Sequence, residues 1–420
     1  MAFCYINEFS ITFKIFQPPM LFVRIITLLF TVCFTPALLA QVTYRGKVTD
    51  KQTGQPLQGA SVFFSNTSYG TTSAADGTFA LTVPQVAKFD LVVAMVGYET
   101  GVMNLGSVES GTLLTVTLKP EVKELEAVVL QAYEKDGWNK WGRFFLENFV
   151  GTSEYAADCS IKNYKDIRFR HNKTDKELIV VCRKPLIIEN KALGYVLRYQ
   201  LEQFTYNFKT HYLIFTGYPL FEEMQGSERK IRKWKERREE VFSGSVMHFM
   251  RSVFTNRIKE NHFLVYRMRV VPNLEKKRVG EVYRKAGPAN FNNFPADSVT
   301  YYNTVMRQAN AFNYLYKTEL TGDSIAYGID SATVGMTFED HLVVVYTQKK
   351  EPAMYRQQTN AKGAEGASAS SSITLMNSNE PLEISSNGAF VNPVNMITSE
   401  YWAWAEKIAF MLPLDYKVRR

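Results

Sequence analysis

Thr43-Tyr44-Arg45-Gly46-Lys47-Val48-Thr49-Asp50, Thr53-Gly54-Gln55-Pro56-Leu57-Gln58-Gly59-Ala60, Gly70-Thr71-Thr72-Ser73-Ala74-Ala75-Asp76-Gly77-Thr78-Phe79 and Val96-Gly97-Tyr98 punctuate the stretch from Val42 to Pro120. Short apolar segments lie among them. Val42 to Tyr44 leads into Val48, and Ala60 to Phe64 is apolar. Phe79 to Val83 alternates, Leu91 to Val96 is a continuous apolar run, and Leu113 to Leu118 alternates again. Gly54, Gly70, Gly77, Gly97 and Gly101 fall between the segments, where turns need positive φ or tight geometry. Several short strands with this punctuation predict a β-sandwich. The pattern supplies no reactive group.

The chain has 420 residues, enough for two or three domains, and its 46% hydrophobic content suits more than one core. The formal charge of +8 raises the question of nucleic acid, which the compartment answers. From Met20, one arginine (Arg24) precedes an apolar run, and Pro36 and Ala40 then form a small-residue exit before Gln41. This is the pattern of a secretory signal peptide, with residues 1–19 an upstream extension. Ile25 to Phe34 is short for a bilayer span. An exported protein seldom meets nucleic acid, so none is expected as a partner.

Beyond Gln41 only Cys159 and Cys182 remain. An oxidising compartment permits one disulfide between them, and two buried thiols fit the sequence equally well. No C-x-x-C spacing or adjacent histidine suggests a metal.

The turn motifs between Val42 and Pro120 closely resemble the carboxypeptidase regulatory-like domain. The resemblance implies a seven-stranded transthyretin-like β-sandwich over residues 41–120, of a kind common at the front of exported Bacteroidetes proteins. Ala74 stands where relatives often carry an acidic residue, so Asp76-Gly77 is expected to be a plain hairpin turn and not a calcium loop. The peptidase itself is not expected. None of the five histidines belongs to an H-E-x-x-H or has glutamate at the spacing a zinc peptidase needs.

Residues 121–136 form a linker. Glu121 to Leu130 resembles the segment that joins this sandwich to the plug of TonB-dependent transporters, and is either a relic or an edge strand. About 290 residues follow Gln131, too few for a 22-stranded barrel.

Residues 137–420 are expected to form an antiparallel-β-rich α+β domain with inserted helices. Trp138, Trp141, Phe144, Phe145 and Phe149 recur on one helix face as a core stripe. Tyr195, Leu197, Tyr199 and Leu201 share a strand face opposite Arg198, Gln200 and Glu202. A charged helix spans Ser227 to Glu240. Its Arg229, Lys230, Lys233 and Arg237 are the candidate partner-facing cations, and its glutamates suit helix-stabilising pairs with them. A further helix is expected over Ser245 to Lys259, a flexible loop over 355–380, and an amphipathic helix within Ile397 to Tyr416 stopped at Pro413. This region also resembles the C-terminal part of uncharacterised Bacteroidetes proteins.

No nucleophile elbow or phosphate-binding glycine loop is present, and no cofactor, metal or catalytic residue is expected. The carboxylate pairs Glu222-Glu223, Glu239-Glu240 and Glu339-Asp340 are commonplace on surfaces. The expectation is an exported, non-catalytic envelope protein of the periplasm or outer membrane. It would be a binding or assembly module for a peptide, envelope protein or glycan. The basic helix reads first as a solvated face, and if it has a partner, anionic lipid headgroups (peripheral membrane association) or an acidic protein surface fit best. The alternative is an envelope hydrolase on peptide or glycan, with its site in the second domain.

Overall fold

A computed structural model describes residues 41–84, 90–105, 111–121, 132–287, 294–359 and 364–418. The expected export signal before Gln41 and the linker run from Val122 to Gln131 lie outside them.

Strands β1 (Gln41–Asp50), β2 (Ser61–Phe64), β3 (Gly70–Thr72), β4 (Thr78–Pro84), β5 (Asp90–Ala94), β6 (Gly101–Asn104) and β7 (Leu113–Leu118) form the sandwich. One sheet is ordered β4-β1-β7, with β1 parallel to β7; the other is β3-β2-β5-β6. The alternation of β4 and β7 places Phe79, Leu81, Val83, Leu114, Val116 and Leu118 inside. The motif residues hold the fold together. Asp50 accepts backbone N–H bonds from Gln52 (2.7 Å) and Thr53 (2.9 Å) and the Tyr98 hydroxyl (2.8 Å). One carboxylate thus ties the T-G-x-P turn to the V-G-Y turn. A Cβ on Gly46 would lie 2.4 Å from Leu114 O and 2.6 Å from the Phe79 ring, so only glycine fits. The Asp76 carboxylate accepts from Thr78. The turn at Asp76-Gly77 is not the expected hairpin, because β3 and β4 lie in different sheets and it carries the chain from one to the other.

The rest of the chain has two large cores where one domain was expected. The first is built on β8 (Cys159–Ile161), β9 (Arg168–Asn172), β10 (Glu177–Val181), β11 (Leu186–Asn190), β12 (Tyr195–Asn207) and β13 (Leu213–Glu223). The long β12–β13 hairpin carries β10 and β11 end to end on its other edge. Tyr195, Leu197, Tyr199 and Leu201 are buried, as their alternation predicts. Helix α1 (Gly137–Phe149) lays Phe145 and Phe149 onto that face, against Phe204 at 5.0 Å and Tyr199 at 5.2 Å. Helix α2 (Glu228–Phe242) closes the end of the sheet.

The second core starts at α3 (Val246–Phe254), which stops short of the expected Lys259. The chain continues through β14 (Phe263–Pro272), α4 (Leu274–Ala286), α5 (Ala296–Arg307) and β15 (Ala311–Glu319). Then come α6 (Gly322–Ile325), β16 (Ala326–Asp330), β17 (Thr333–Met336), β18 (His341–Lys350), α7 (Ala353–Thr359), β19 (Ser368–Leu375), β20 (Leu382–Ser385), β21 (Met396–Glu400) and α8 (Tyr401–Ala405). The main sheet runs β15-β14-β18-β19-β21, with a smaller sheet β16-β17-β20.

Two further expectations are corrected here. The stretch expected as a flexible loop over 355–380 contains α7 and β19. Its serines and Ala369 are small enough to pack mid-sheet, and Ser371 and Ser372 are buried. The expected C-terminal helix is instead strand β21 followed by the short α8, because Met396 to Glu400 pairs with β19. The acidic pair Glu339-Asp340 is engaged by Arg267, at 3.0 and 2.7 Å.

The sandwich is docked on the first of these cores. Phe63, Val92 and Ala94 pack on Leu220 of β13. Asn66 N–H donates to Pro219 O (2.8 Å), Phe221 N–H donates to Thr67 O (2.9 Å), and Thr67 and Leu220 form a parallel bridge. A piece of sandwich loop therefore adds to the outer edge of β13.

Candidate binding cleft

The segment from Tyr401 to Leu412 builds the site. Tyr401, Trp402 and Ala405 belong to one core, and Ile408, Ala409 and Leu412 to the other. Glu406 and Lys407 are the crossing between them. At this crossing the two lobes leave a cavity of about 1020 Å³ between β13 and β21. A second cavity of about 680 Å³ lies beside Glu351, Tyr355 and Trp404. Asn148, Glu400, Ala403 and Lys407 line both, so the two spaces meet at a common neck.

Two strand edges face the larger cavity. β21 is the outer strand of its sheet and β13 the outer strand of its own. The far end of β13 is occupied by Asn66 and Thr67, whereas Leu213 to Thr216 line the cavity. Such edges present rows of unpaired backbone N–H and C=O groups. Around them Tyr212 (48% exposed), Ile214 (41%), Met376 (67%) and Val394 (56%) form an exposed apolar rim. Apolar surface beside a concavity marks binding sites.

The polar groups of the neck are strained or desolvated. Glu400 has φ +56°, a left-handed conformation uncommon outside glycine and characteristic of functional sites. The Lys407 stem rests on Gly151, where a Cβ would come within 3.0 Å, and its Nζ lies 5.5 Å from the Phe215 ring centre. Burial pushes the Lys407 ammonium down to about 8. Burial also raises the neighbouring Glu406 carboxyl, which accepts Val246 N–H at 2.9 Å.

The predicted cations divide. Arg229, Lys230 and Lys233 are exposed and form no ion pair among the described residues, so the expected glutamate pairs within the helix do not hold them. Arg237 instead packs over the Tyr155 ring at 4.9 Å and reaches Asp158 at 3.3 Å. Trp234 Nε1 donates to Lys191 O (2.9 Å) and Arg238 Nε to Leu193 O (2.7 Å), which fixes the helix on the β11–β12 turn.

Cys159 and Cys182 are free, which corrects the disulfide alternative. Cys159 pairs with Asn190 on β11, whereas Cys182 follows Val181 of β10, and both strands run along the same edge of β12. At 3.3 Å per residue the two sites are on the order of 20 Å apart, against a limit of about 7 Å between bridged Cα atoms. Peptide mapping without reductant is therefore expected to recover the Cys159 and Cys182 peptides separately. A linked pair would contradict the strand order.

Among the described residues, no group of three or more His, Cys, Asp or Glu side chains is placed to hold a metal ion. No described helix is long and apolar enough to cross a membrane. Sequence reasoning missed the cleft. Its one trace was Glu406-Lys407, two charges interrupting an aromatic run from Tyr401 to Phe410.

Residues 44–130 match the family described as the CarboxypepD_reg-like domain. Among solved structures, the group B streptococcus pilus 2b backbone protein is 20% identical over 19% of this chain and 42% of its own, with a TM-score of 0.16. A 9R-lipoxygenase from Cyanothece is 8% identical over 53% of this chain and 50% of its own, with a TM-score of 0.17. A Bacteroides fragilis protein, described as membrane-associated and of unknown function, is 11% identical over 73% of this chain and 88% of its own, with a TM-score of 0.15. The chain spans half the length or less of the first two. Superpositions this poor carry no inference. No curated protein matches.

Proposed function

We propose that this is a non-catalytic binding module that takes up an extended polypeptide segment in the cleft between β13 and β21. The observation that carries the reading is the pair of strand edges facing one cavity of about 1020 Å³. An added strand satisfies its backbone on such an edge, while side-chain pockets select its sequence. The molecule already uses this mode internally, where Asn66 and Thr67 lie along β13. The sandwich, its domain type and its docked position suit a scaffold role beside that cleft. The residues fit an exported protein of a bacterial envelope, whose partner would be an envelope protein.

The test is hydrogen exchange of the full chain with and without a random library of ten-residue peptides. Backbone amides of Met396 to Glu400, and of Leu213 to Thr216, are expected to slow at least tenfold on binding. Unchanged exchange at both edges, with peptide bound elsewhere, would remove the strand-addition reading.

A further inference from the structure

The cleft reading leaves open what chemistry the bound segment must carry, and Lys407 bears on that. Its ammonium lines both cavities at their common neck. Among the described residues Nζ forms no ion pair and no hydrogen bond; it lies 5.5 Å from the Phe215 ring centre and feels the charge of the adjacent Glu406. Glu406, next in sequence, is committed to Val246 N–H at 2.9 Å. Gly151 packs against the Cβ and Cγ of Lys407, which directs the stem along the neck.

Resting on the cleft reading, we propose that Lys407 anchors a carboxylate of the bound polypeptide, either its terminal carboxylate or an Asp or Glu side chain. The adjacent Glu406 carboxylate offsets the burial of this half-buried amine only in part and makes no ion pair with it, so a ligand carboxylate would relieve the remaining desolvation penalty through a charge-assisted hydrogen bond. The depressed affinity of this amine for its proton, to about 8, is the signature of that unrelieved burial. Phe215 and the apolar rim then accommodate the rest of the segment, so one charge at the neck sets its register in the cleft.

Three pools of random ten-residue peptides distinguish the sources of the carboxylate. One has free C-termini and no Asp or Glu; one is amidated and contains Asp and Glu; one is amidated and has neither. Wild-type protein is expected to bind the first or the second at least about tenfold more tightly than the third, the scale of one hydrogen bond to a charged group. Lys407→Met removes that preference, and Lys407→Arg retains part of it, with thermal melts confirming that both variants fold. Equal affinity for all three pools, with β21 still protected from exchange, overturns the Lys407 assignment and leaves the cleft reading standing. Absence of binding by every pool overturns both. Retention of an acidic oligosaccharide in place of peptide, or self-association that Lys407→Met abolishes, assigns the cleft to another occupant and overturns the peptide carboxylate.

Discussion

Trp402→Ala is expected to lower unfolding free energy by about 4 kcal/mol, the range for deleting a buried tryptophan. The side chain is 2% exposed and lies tilted against Phe249, with ring centroids 5.5 Å apart. Its indole Nε1 donates to Gly244 O at 2.8 Å, and its backbone N–H donates to Ser371 Oγ at 3.0 Å. Truncation therefore opens a cavity and also leaves the Gly244 carbonyl without its indole donor, a loss of about 1–3 kcal/mol in itself. Trp402→Phe keeps most of the packing and isolates the lost hydrogen bond. Urea denaturation of both variants checks the expectation; a loss below about 1 kcal/mol for Trp402→Ala would show that α8 is not packed as described. The effect is a large share of the 5–15 kcal/mol typical of a folded domain. Trp402 also lines the cleft, so the truncated protein should bind peptide weakly even where it remains folded.

The second large effect depends on pH. His248 lies 4.8 Å from the Phe242 ring and 5.0 Å from Phe263, and its Nδ1 accepts Gly244 N–H at 3.2 Å. Burial pushes its imidazolium down to about 4, with the Arg251 charge adding to the shift. The folded protein thus holds the ring neutral while the unfolded chain protonates it near 6.5. Above pH 6.5 both states are neutral and stability from this group is complete. As pH falls from 6.5 towards 4 the unfolded state takes up the proton first, and stability is lost. The difference of 2.5 between 6.5 and about 4 corresponds to about 3 kcal/mol. His248→Gln, which can still accept from Gly244, should not show this loss. Subtracting its stability profile from that of the wild type isolates the histidine, and parallel profiles between pH 6.5 and 4 would refute the assignment.

These two residues meet at Gly244, which binds the histidine through its N–H and the tryptophan through its carbonyl. No local pattern announces such a junction. What the sequence reveals well is local and periodic: the sandwich turns, the alternation of Tyr195 to Leu201, and the aromatic stripe of α1. Phe145 and Phe149 of that stripe are buried, while Trp138, Trp141 and Phe144 pack at its edge. The serine-rich β19 is hidden because its burial comes from neighbours on both sides, β18 and β21, and not from its own hydrophobicity. Helices α4 and α5 carry weak apolar stripes, each with a single buried residue, and escape notice for that reason. The cleft is the least legible feature, since its walls come from segments near residues 148, 213 and 400 that only the tertiary fold assembles.

One further consequence concerns the order in which the molecule can complete itself. Tyr401 to Asp415 threads through one core, then the other, and finally Leu414 N–H and the Asp415 carboxylate clasp the sandwich loop at Asn66 and Ser68. The contacts at Ser68 span 347 positions of sequence. Nascent chain that has not yet delivered this segment can form the sandwich, yet it cannot seal either lobe. A chain that lacks this segment is therefore expected to expose its aromatic cores to proteolysis and aggregation.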